Sequence, residues 1–472
     1  MLFLFEVLIF KRGETMVGVI LAAGKSTRME SRKTKLIHGL CGKPVIFYPV
    51  KLMKDFHIQK IIVVVNETIR KEMEKLFEGW NIDFVVQKEQ TGTATALLCA
   101  LETSLLDSCK YLFVMGGDTP LLNKDNAKRF IDFVKAEDLD VGLMSAMLDE
   151  PADYGRIKRK EGRLEKIVEA KEATKEEIKI NEVNSGIYMI KSSRVKELLS
   201  NIIKNNTHKE YYLTDIIEYA VKKDAYLSSN SDIILGINTR KEQSLIRKKL
   251  QAKIIENLFN EGVTIIDHNN TYIDYNVKIG KDSIIYSQVY IRGNTVIGQS
   301  CTIDVGSVIE DSVISDEVNI HPYSIIEKSH IEKGCSVGPF SHLRPETVLK
   351  NNVKIGNFVE VKKSVIGENT KASHLTYIGD TEIGKDANIG AGTITCNYDG
   401  YKKNKTKIGD RVFIGSNTEI VAPVEIENDA ITAAGTTVTE YVPPYSLAIS
   451  RVPQQNIENW VKEYRKKKKC AE

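Results

Sequence analysis

Three cations crowd one turn of small residues. Leu21, Ala22, Ala23 and Gly24 lead into Lys25 and Arg28, and Lys35 follows shortly. Such small residues let backbone N–H groups approach a phosphate while the cations neutralise it, so the pattern predicts a nucleoside triphosphate site. Asp118 comes just after the apolar run 111–115, at the carboxyl end of a strand, where a hard carboxylate suits Mg2+ bridging phosphates. A second group lies in the back half. Arg344 and Lys362 each stand one residue past an apolar anchor, Leu343 and Val361, and three hexads separate them. They should therefore stack one coil apart on one face, where like charges repel unless a phosphate lies between them. Ser373, His374, Tyr377 and Glu360 fall in adjoining coils, and His374 is the candidate to take a proton from an amine near neutral pH. Cys396 offers a rival route through an acyl-thioester enzyme, although a small buried loop residue is the plainer reading.

These groups need a scaffold. Residues 17–238 alternate short apolar runs (17–21, 61–65, 82–86, 111–115, 141–146, 187–190) with helix-length amphipathic stretches (44–54, 67–78, 93–106, 123–135). That rhythm predicts an α/β domain on a largely parallel sheet. Residues 239–262 read as a linker helix: Thr239 and Glu242 form a capping box, and Gly262 supplies the stop. From Ile279 the period becomes six. Ile285, Ile291, Ile297, Ile303 and Ile309 follow in register, and after one-residue slips the series runs on through Ile326, Leu343, Val361 and Ile378; an insertion at 393–400 then interrupts the hexads, which resume from Ile408 to Ile426. Neither a helix nor alternating strands sustains a six, whereas the hexapeptide repeats of a parallel β-helix do. Gly follows the anchors at Gly280, Gly298, Gly356, Gly367, Gly379, Gly390, Gly409 and Gly415, as corners of unusual φ/ψ would require. The β-helix should fill 263–452 and leave a tail, 453–472, whose basic run 465–469 reads as a frayed solvated end.

Lys+Arg 66 against Asp+Glu 63 leaves a net charge of +3, so neither nucleic acid nor a membrane is demanded as partner. The seven cysteines show no CxxC and no framework spacing, which favours a reducing cytoplasm. The apolar opening is broken by Glu6 and is too short to span a bilayer; with Met16 before the first strand, residues 1–15 read as a dispensable leader or an upstream misread start.

The turn 21–29, Gln87 with Gly92 and Thr93, the run 117–121, Tyr154-Gly155-Arg156, Glu169, Asn184 with Gly186, the run 212–215 and Gly236 to Asn238 stand in the order seen in sugar-nucleotide pyrophosphorylases. With the β-helix attached, the chain resembles the bacterial bifunctional N-acetylglucosamine-1-phosphate uridylyltransferases and glucosamine-1-phosphate acetyltransferases. The resemblance implies a Rossmann-like nucleotidyltransferase domain and a left-handed β-helix assembled as a homotrimer. It implies acetyl transfer from acetyl-CoA to glucosamine 1-phosphate, then uridylyl transfer from UTP with Mg2+. By resemblance, Asp118 and Asn238 hold the metal, Lys35 and Arg28 are catalytic, and Leu21, Ala22, Gly24, Gln87, Gly92, Thr93, Gly155, Glu169 and Asn184 bind UTP and the sugar. In the β-helix it implies His374 as base, Arg344, Lys362, Tyr377 and Asn388 on the sugar phosphate, and Ala391, Asn397, Tyr398, Lys403, Ser416, Ala434 and Arg451 toward acetyl-CoA. Ser26, Thr34 and Ala94 stand where that family usually has Gly, Pro and Gly; the Cβ of Ser26 and of Ala94 would obstruct close backbone approach and the missing Pro would loosen the loop before Lys35, which predicts retained but slower uridylyl transfer. The alternatives are a single-activity nucleotidyltransferase whose β-helix is structural or regulatory, and a non-catalytic scaffold.

Overall fold

The computed structural model describes residues 15–58, 60–102, 109–205 and 210–469, so the leader and the end of the helix expected at 93–106 lie outside the described residues. The chain forms two compact units that divide after Leu250. In the first, seven strands run in the order Lys223–Ser228, Val141–Met147, Glu182–Lys191, Tyr111–Gly116, Met16–Leu21, Lys60–Val65 and Ile82–Val86. Met16–Leu21 is parallel to both neighbours, so the strand order reverses beside it, and the carboxyl ends of Met16–Leu21 and Tyr111–Gly116 border the crevice of a doubly wound sheet. The central runs are apolar on both faces because helices cover both: Val19, Ile20, Ile62, Val63 and Val64 are fully buried.

Glu182–Lys191 runs antiparallel to both neighbours, and three strands and a helix escaped the periodicity. The hairpin Arg156–Lys160 and Arg163–Val168 alternates charged with apolar residues and buries only one side. It is held by an ion pair network in which Arg159 donates to Glu182 (2.8 and 2.6 Å) and to Asp224 (3.3 Å). Lys223–Ser228 is an edge strand, and Ser192–Asn205 packs Val195, Leu198, Leu199 and Ile202 against the core.

The connecting helix is Arg240–Asn260. Its capping box forms as the spacing requires: Glu242 Oε2 accepts the N–H groups of Asn238 (2.7 Å) and Thr239 (2.8 Å), while Thr239 Oγ1 accepts that of Glu242 (3.2 Å).

The second unit is a left-handed parallel β-helix with three walls of 11, 10 and 9 strands. Each wall stacks its anchors: Ile285, Ile303, Ile320, Val337, Ile355 and Ala372 on the first. Ile291, Ile309, Ile326, Leu343, Val361 and Ile378 form the second. On the third, Ile297 pairs directly with Ile314, so a one-residue slip removes a corner residue without breaking the stack. Thr395 takes the anchor position in the coil that carries the insertion.

Two expectations are corrected. The glycines after the anchors do not have unusual backbone angles; a Cβ there would strike the next coil, as at Gly356, 2.1 Å from Ser373 O, and Gly367, 2.3 Å from Gly384 C. Left-handed backbone instead occurs at corners with side chains, including Tyr323, Phe340 and Phe358. The basic tail is not frayed coil, since 465–469 closes the exposed helix Trp460–Lys469.

Candidate active sites

The crevice of the first unit opens into a cavity of about 630 Å³. Leu21, Ala22, Gly24, Lys25, Lys35, Gln87, Gly92, Thr93, Asp118, Glu169 and Asn184 line it. The turn after the first strand is tied down by Asn66, whose Nδ2 donates to Ala23 O (3.1 Å). Across the crevice the Lys35 ammonium donates to Asp118 Oδ2 and to Asn238 Oδ1 (2.7 Å). One cation thus already sits between the two oxygens that the resemblance implies as metal ligands. A carboxylate and an amide oxygen converging on one point suit Mg2+, which takes few protein oxygens and leaves its other positions to water and phosphate.

Gln87 is buried, and its Nε2 donates to Gly92 O (3.0 Å) and Thr95 Oγ1 (3.1 Å), which leaves Oε1 as the amide's acceptor. Gly92 has φ 143, and a Cβ there would lie 2.2 Å from Tyr211 O, so only glycine closes this loop. Glu169 accepts from Thr214 Oγ1 (2.9 Å), and Asn184 Nδ2 donates to the Tyr188 hydroxyl (2.8 Å), whose ionisation burial pushes up. Gly155 is not among the residues lining the cavity, and its carbonyl accepts the Asn184 N–H (2.9 Å). Arg28 also stands outside the cavity lining; its guanidinium faces the exposed Asp153 at 3.8 Å. Tyr188 carries no charge and no spacing signal, and only its contact with Asn184 marks it; Thr214 falls within the run 212–215, but its bond to Glu169 appears only in the structure.

Ala94 and Ser26 do not obstruct the cavity. Ala94 points into the apolar core. Ser26 adopts left-handed backbone (φ 57), and its Oγ accepts the Lys35 N–H (3.2 Å) while hydrogen-bonding Thr34 Oγ1 (3.1 Å). Two unusual residues, Ser26 and Thr34, therefore bind each other, and Ser26 also holds the backbone at Lys35.

In the β-helix, Arg344 and Lys362 occupy one column of the second wall, since Leu343 pairs with Val361. The pair is not left unneutralised: Arg344 donates to Glu360 Oε1 at 2.8 Å, a partner that spacing alone did not assign. Lys362 has Lys403 beside it, and that neighbouring cation holds the Lys362 ammonium below the usual lysine range. Tyr377 stacks on Glu360, and Gly379 on Lys362. The absent side chain of Gly379 leaves room for the Tyr377 hydroxyl and the Asn397 amide, which would lie 2.5 and 2.7 Å from a Cβ.

His374 ends the adjoining first-wall strand Lys371–His374, across the corner from Tyr377, and is exposed. The wall's register aligns Asn357 with His374, Lys371 with Asn388, and Asn388 with Phe413. Continued upward, it places Ala391, Ser416 and Ala434 in successive coils over His374, with Asn417 N–H on Ala391 O and Gly435 N–H on Ser416 O, both 2.8 Å. Arg451 Nη1 donates to Ala434 O at the top (2.8 Å). Small residues thus pave a strip leading away from the imidazole. Tyr398 is exposed on the insertion, and its hydroxyl donates to Gly400 O (2.7 Å). Cys396 is half-buried, and burial raises its thiol pKa, which disfavours a thiolate nucleophile.

The nucleotidyl transferase family profile matches residues 17–233. The GMPPB C-terminal domain profile matches 264–350, and the bacterial transferase hexapeptide profile matches 405–440. A relative from Thermodesulfovibrio yellowstonii, named bifunctional protein GlmU, is 46% identical over 453 residues, covering 95% of this chain and 99% of its own. Relatives with the same name from Caldanaerobacter subterraneus (43%, 96% and 99% covered) and Trichlorobacter lovleyi (42%, 94% and 97%) align as completely. Likeness of this degree across both units and the helix between them means that the chain belongs to the family of bifunctional GlmU proteins.

Proposed function

We propose that the chain makes UDP-N-acetylglucosamine in two steps, acetylating glucosamine 1-phosphate in the β-helix and transferring a uridylyl group in the α/β unit. The observation that carries the two-activity reading is the strip Ala391, Ser416, Ala434 and Arg451 rising from His374 beside stacked Arg344 and Lys362. A merely structural β-helix has no use for it.

In the β-helix, Arg344, Lys362, Tyr377 and Asn388 hold the sugar phosphate, and acetyl-CoA lies along the strip near Asn397, Tyr398 and Lys403. The substrate nitrogen attacks the thioester carbon, His374 takes the proton it sheds, the C–S bond breaks, and the departing sulfur receives a proton as free coenzyme A. In the cavity, Gln87 Oε1 accepts a uracil N–H, Thr93 supports it, and Glu169, Asn184 and Gly155 hold the sugar. Lys35 and Lys25 grip the phosphates beside Leu21, Ala22, Gly24 and Gly92. The sugar-phosphate oxygen attacks the α-phosphorus in line, and the bond to pyrophosphate breaks. Mg2+ held by Asp118 and Asn238 would neutralise charge on the phosphate oxygens. Arg28 joins Lys35 by leaving Asp153, an exposed pair worth at most ~1 kcal/mol. Homotrimer assembly through the β-helix and a cytoplasmic setting accompany this reading; among the described residues no helix is long and apolar enough to cross a membrane.

The test is one coupled assay with glucosamine 1-phosphate, acetyl-CoA, UTP and Mg2+, each left out in turn. Coenzyme A release should need only the first two. UDP-N-acetylglucosamine should need all four. Product formed from N-acetylglucosamine 1-phosphate and UTP, without any coenzyme A release, would favour the single-activity alternative.

A further inference from the structure

One buried carboxylate near the acetyl site has no part in this mechanism. Asp380 is 9% exposed, follows Gly379 directly, and adopts left-handed backbone at φ 51. Three coils hold it. Its N–H donates to Lys362 O (3.0 Å) in one direction; in the other its carbonyl accepts the Thr406 N–H (3.2 Å) and its Oδ2 accepts Asn397 Nδ2 at 2.6 Å. Lys362 and Lys403 lie within electrostatic reach and compensate the buried charge.

We propose that Asp380 is a positioning residue for acetyl transfer, fixing the Asn397 amide with its nitrogen on the carboxylate so that Asn397 Oδ1 accepts an N–H of the substrate's amino group. The inference rests on the acetyltransferase reading above. A carboxylate only accepts hydrogen bonds, so chemistry, rather than a convention about amide flips, sets which end of Asn397 faces Asp380. Asn397 is itself 6% exposed and cannot swing freely, and among the described residues its Oδ1 accepts no hydrogen bond. An acceptor held there selects a ligand that brings a donor. The amino group of glucosamine 1-phosphate does so, whereas the carbonyl oxygen of an acyl thioester does not.

Asparagine at position 380 separates this role from plain structural support. It keeps the shape, tolerates left-handed backbone, and hydrogen-bonds Asn397 in either amide orientation. A packing role survives that change, and a fixed orientation does not. Asp380→Asn should raise KM for glucosamine 1-phosphate about tenfold. KM for acetyl-CoA, inhibition by inorganic phosphate and uridylyl transfer should stay within about twofold, since none of them uses that acceptor. Asn397→Ala should produce the same rise, and the double variant no more than the single ones. An unchanged KM for glucosamine 1-phosphate in Asp380→Asn, or full additivity with Asn397→Ala, overturns the inference. If Asp380→Asn lowers the melting midpoint sharply, Asn397→Ala alone decides, because weakened phosphate inhibition there would mean general collapse and refute the role. A wild-type protein that releases no coenzyme A would instead remove the acetyltransferase reading itself.

Discussion

Gly379 gives the most demanding test of the acetyl site. Its backbone is outside the left-handed region, so alanine fits the main chain there, and only the new methyl group matters. That methyl would lie 2.5 Å from the Tyr377 hydroxyl and 2.7 Å from Asn397 Nδ2, against ordinary contact from 3.4 Å. The two groups must retreat by about 0.9 and 0.7 Å to reach ordinary carbon contact distances. The Tyr377 hydroxyl moves by tilting its ring, and the Asn397 amide, held by Asp380, yields by loosening that one hydrogen bond, so the fold should lose only ~1 kcal/mol, at the low end of overpacking costs. Chemistry is less forgiving, because a misplacement near 1 Å costs ~10²-fold where reacting groups must align. Gly379→Ala should therefore cut coenzyme A release by about two orders of magnitude while uridylyl transfer and the melting midpoint change little. Gly367→Ala is the matched contrast. Its methyl would meet the backbone of Gly384 at 2.3 Å, which cannot yield, so it should lower stability first. Acetyl transfer in Gly379→Ala within about threefold of wild type would refute the geometric argument.

The same geometry sets further outcomes. Glu242→Ala removes the acceptor for the Asn238 and Thr239 N–H groups, costing ~1 kcal/mol of cap and loosening Asn238. It should raise the Mg2+ concentration needed for half-maximal uridylyl transfer, and an unaltered Mg2+ titration would disprove the link. Lys362 is held below the usual lysine range by Lys403, so phosphate binding should be complete at lower pH and weaken as pH rises through the lowered value. Lys403→Ala should move that alkaline rise in KM for glucosamine 1-phosphate to higher pH; a limb that stays put contradicts the pairing. His374→Ala should cost ~10²–10⁴-fold in acetyl transfer and Cys396→Ala almost nothing. The reverse pattern would make the thiol the nucleophile. Ser26→Gly removes a hydroxyl bonded to Lys35 N–H and Thr34, so it should slow uridylyl transfer about fivefold, whereas faster turnover would restore the view of Ser26 as an obstruction.

Period carried most of the architecture into the sequence. A six-residue repeat of buried isoleucines has one cheap solution, and the observed pairing of Ile291 with Ile309 and of Leu343 with Val361 is that solution. What the period could not convey was the reason for its own exceptions. Glycine after an anchor signals either special backbone angles or lack of room, and the letter is the same for both; only the distance from Gly356 to the Ser373 carbonyl decides for room. Polar partners were harder still. Arg344 and Lys362 stack as their spacing requires, but Glu360, one residue before an anchor, turns out to be the counter-ion because parallel pairing brings it alongside. Asp380 was invisible for a similar reason, since nothing along the chain announces that its carboxylate meets the Asn397 amide one coil on. In the α/β unit, strands that are apolar on both faces were legible, and the charged hairpin 156–168 was not, because its stability comes from Arg159 reaching Glu182 and Asp224 on other strands. Burial repeats along a sequence and can be counted there. Charge pairing depends on which coils and strands become neighbours, so both sites hold polar residues whose partners appear only once the register is known.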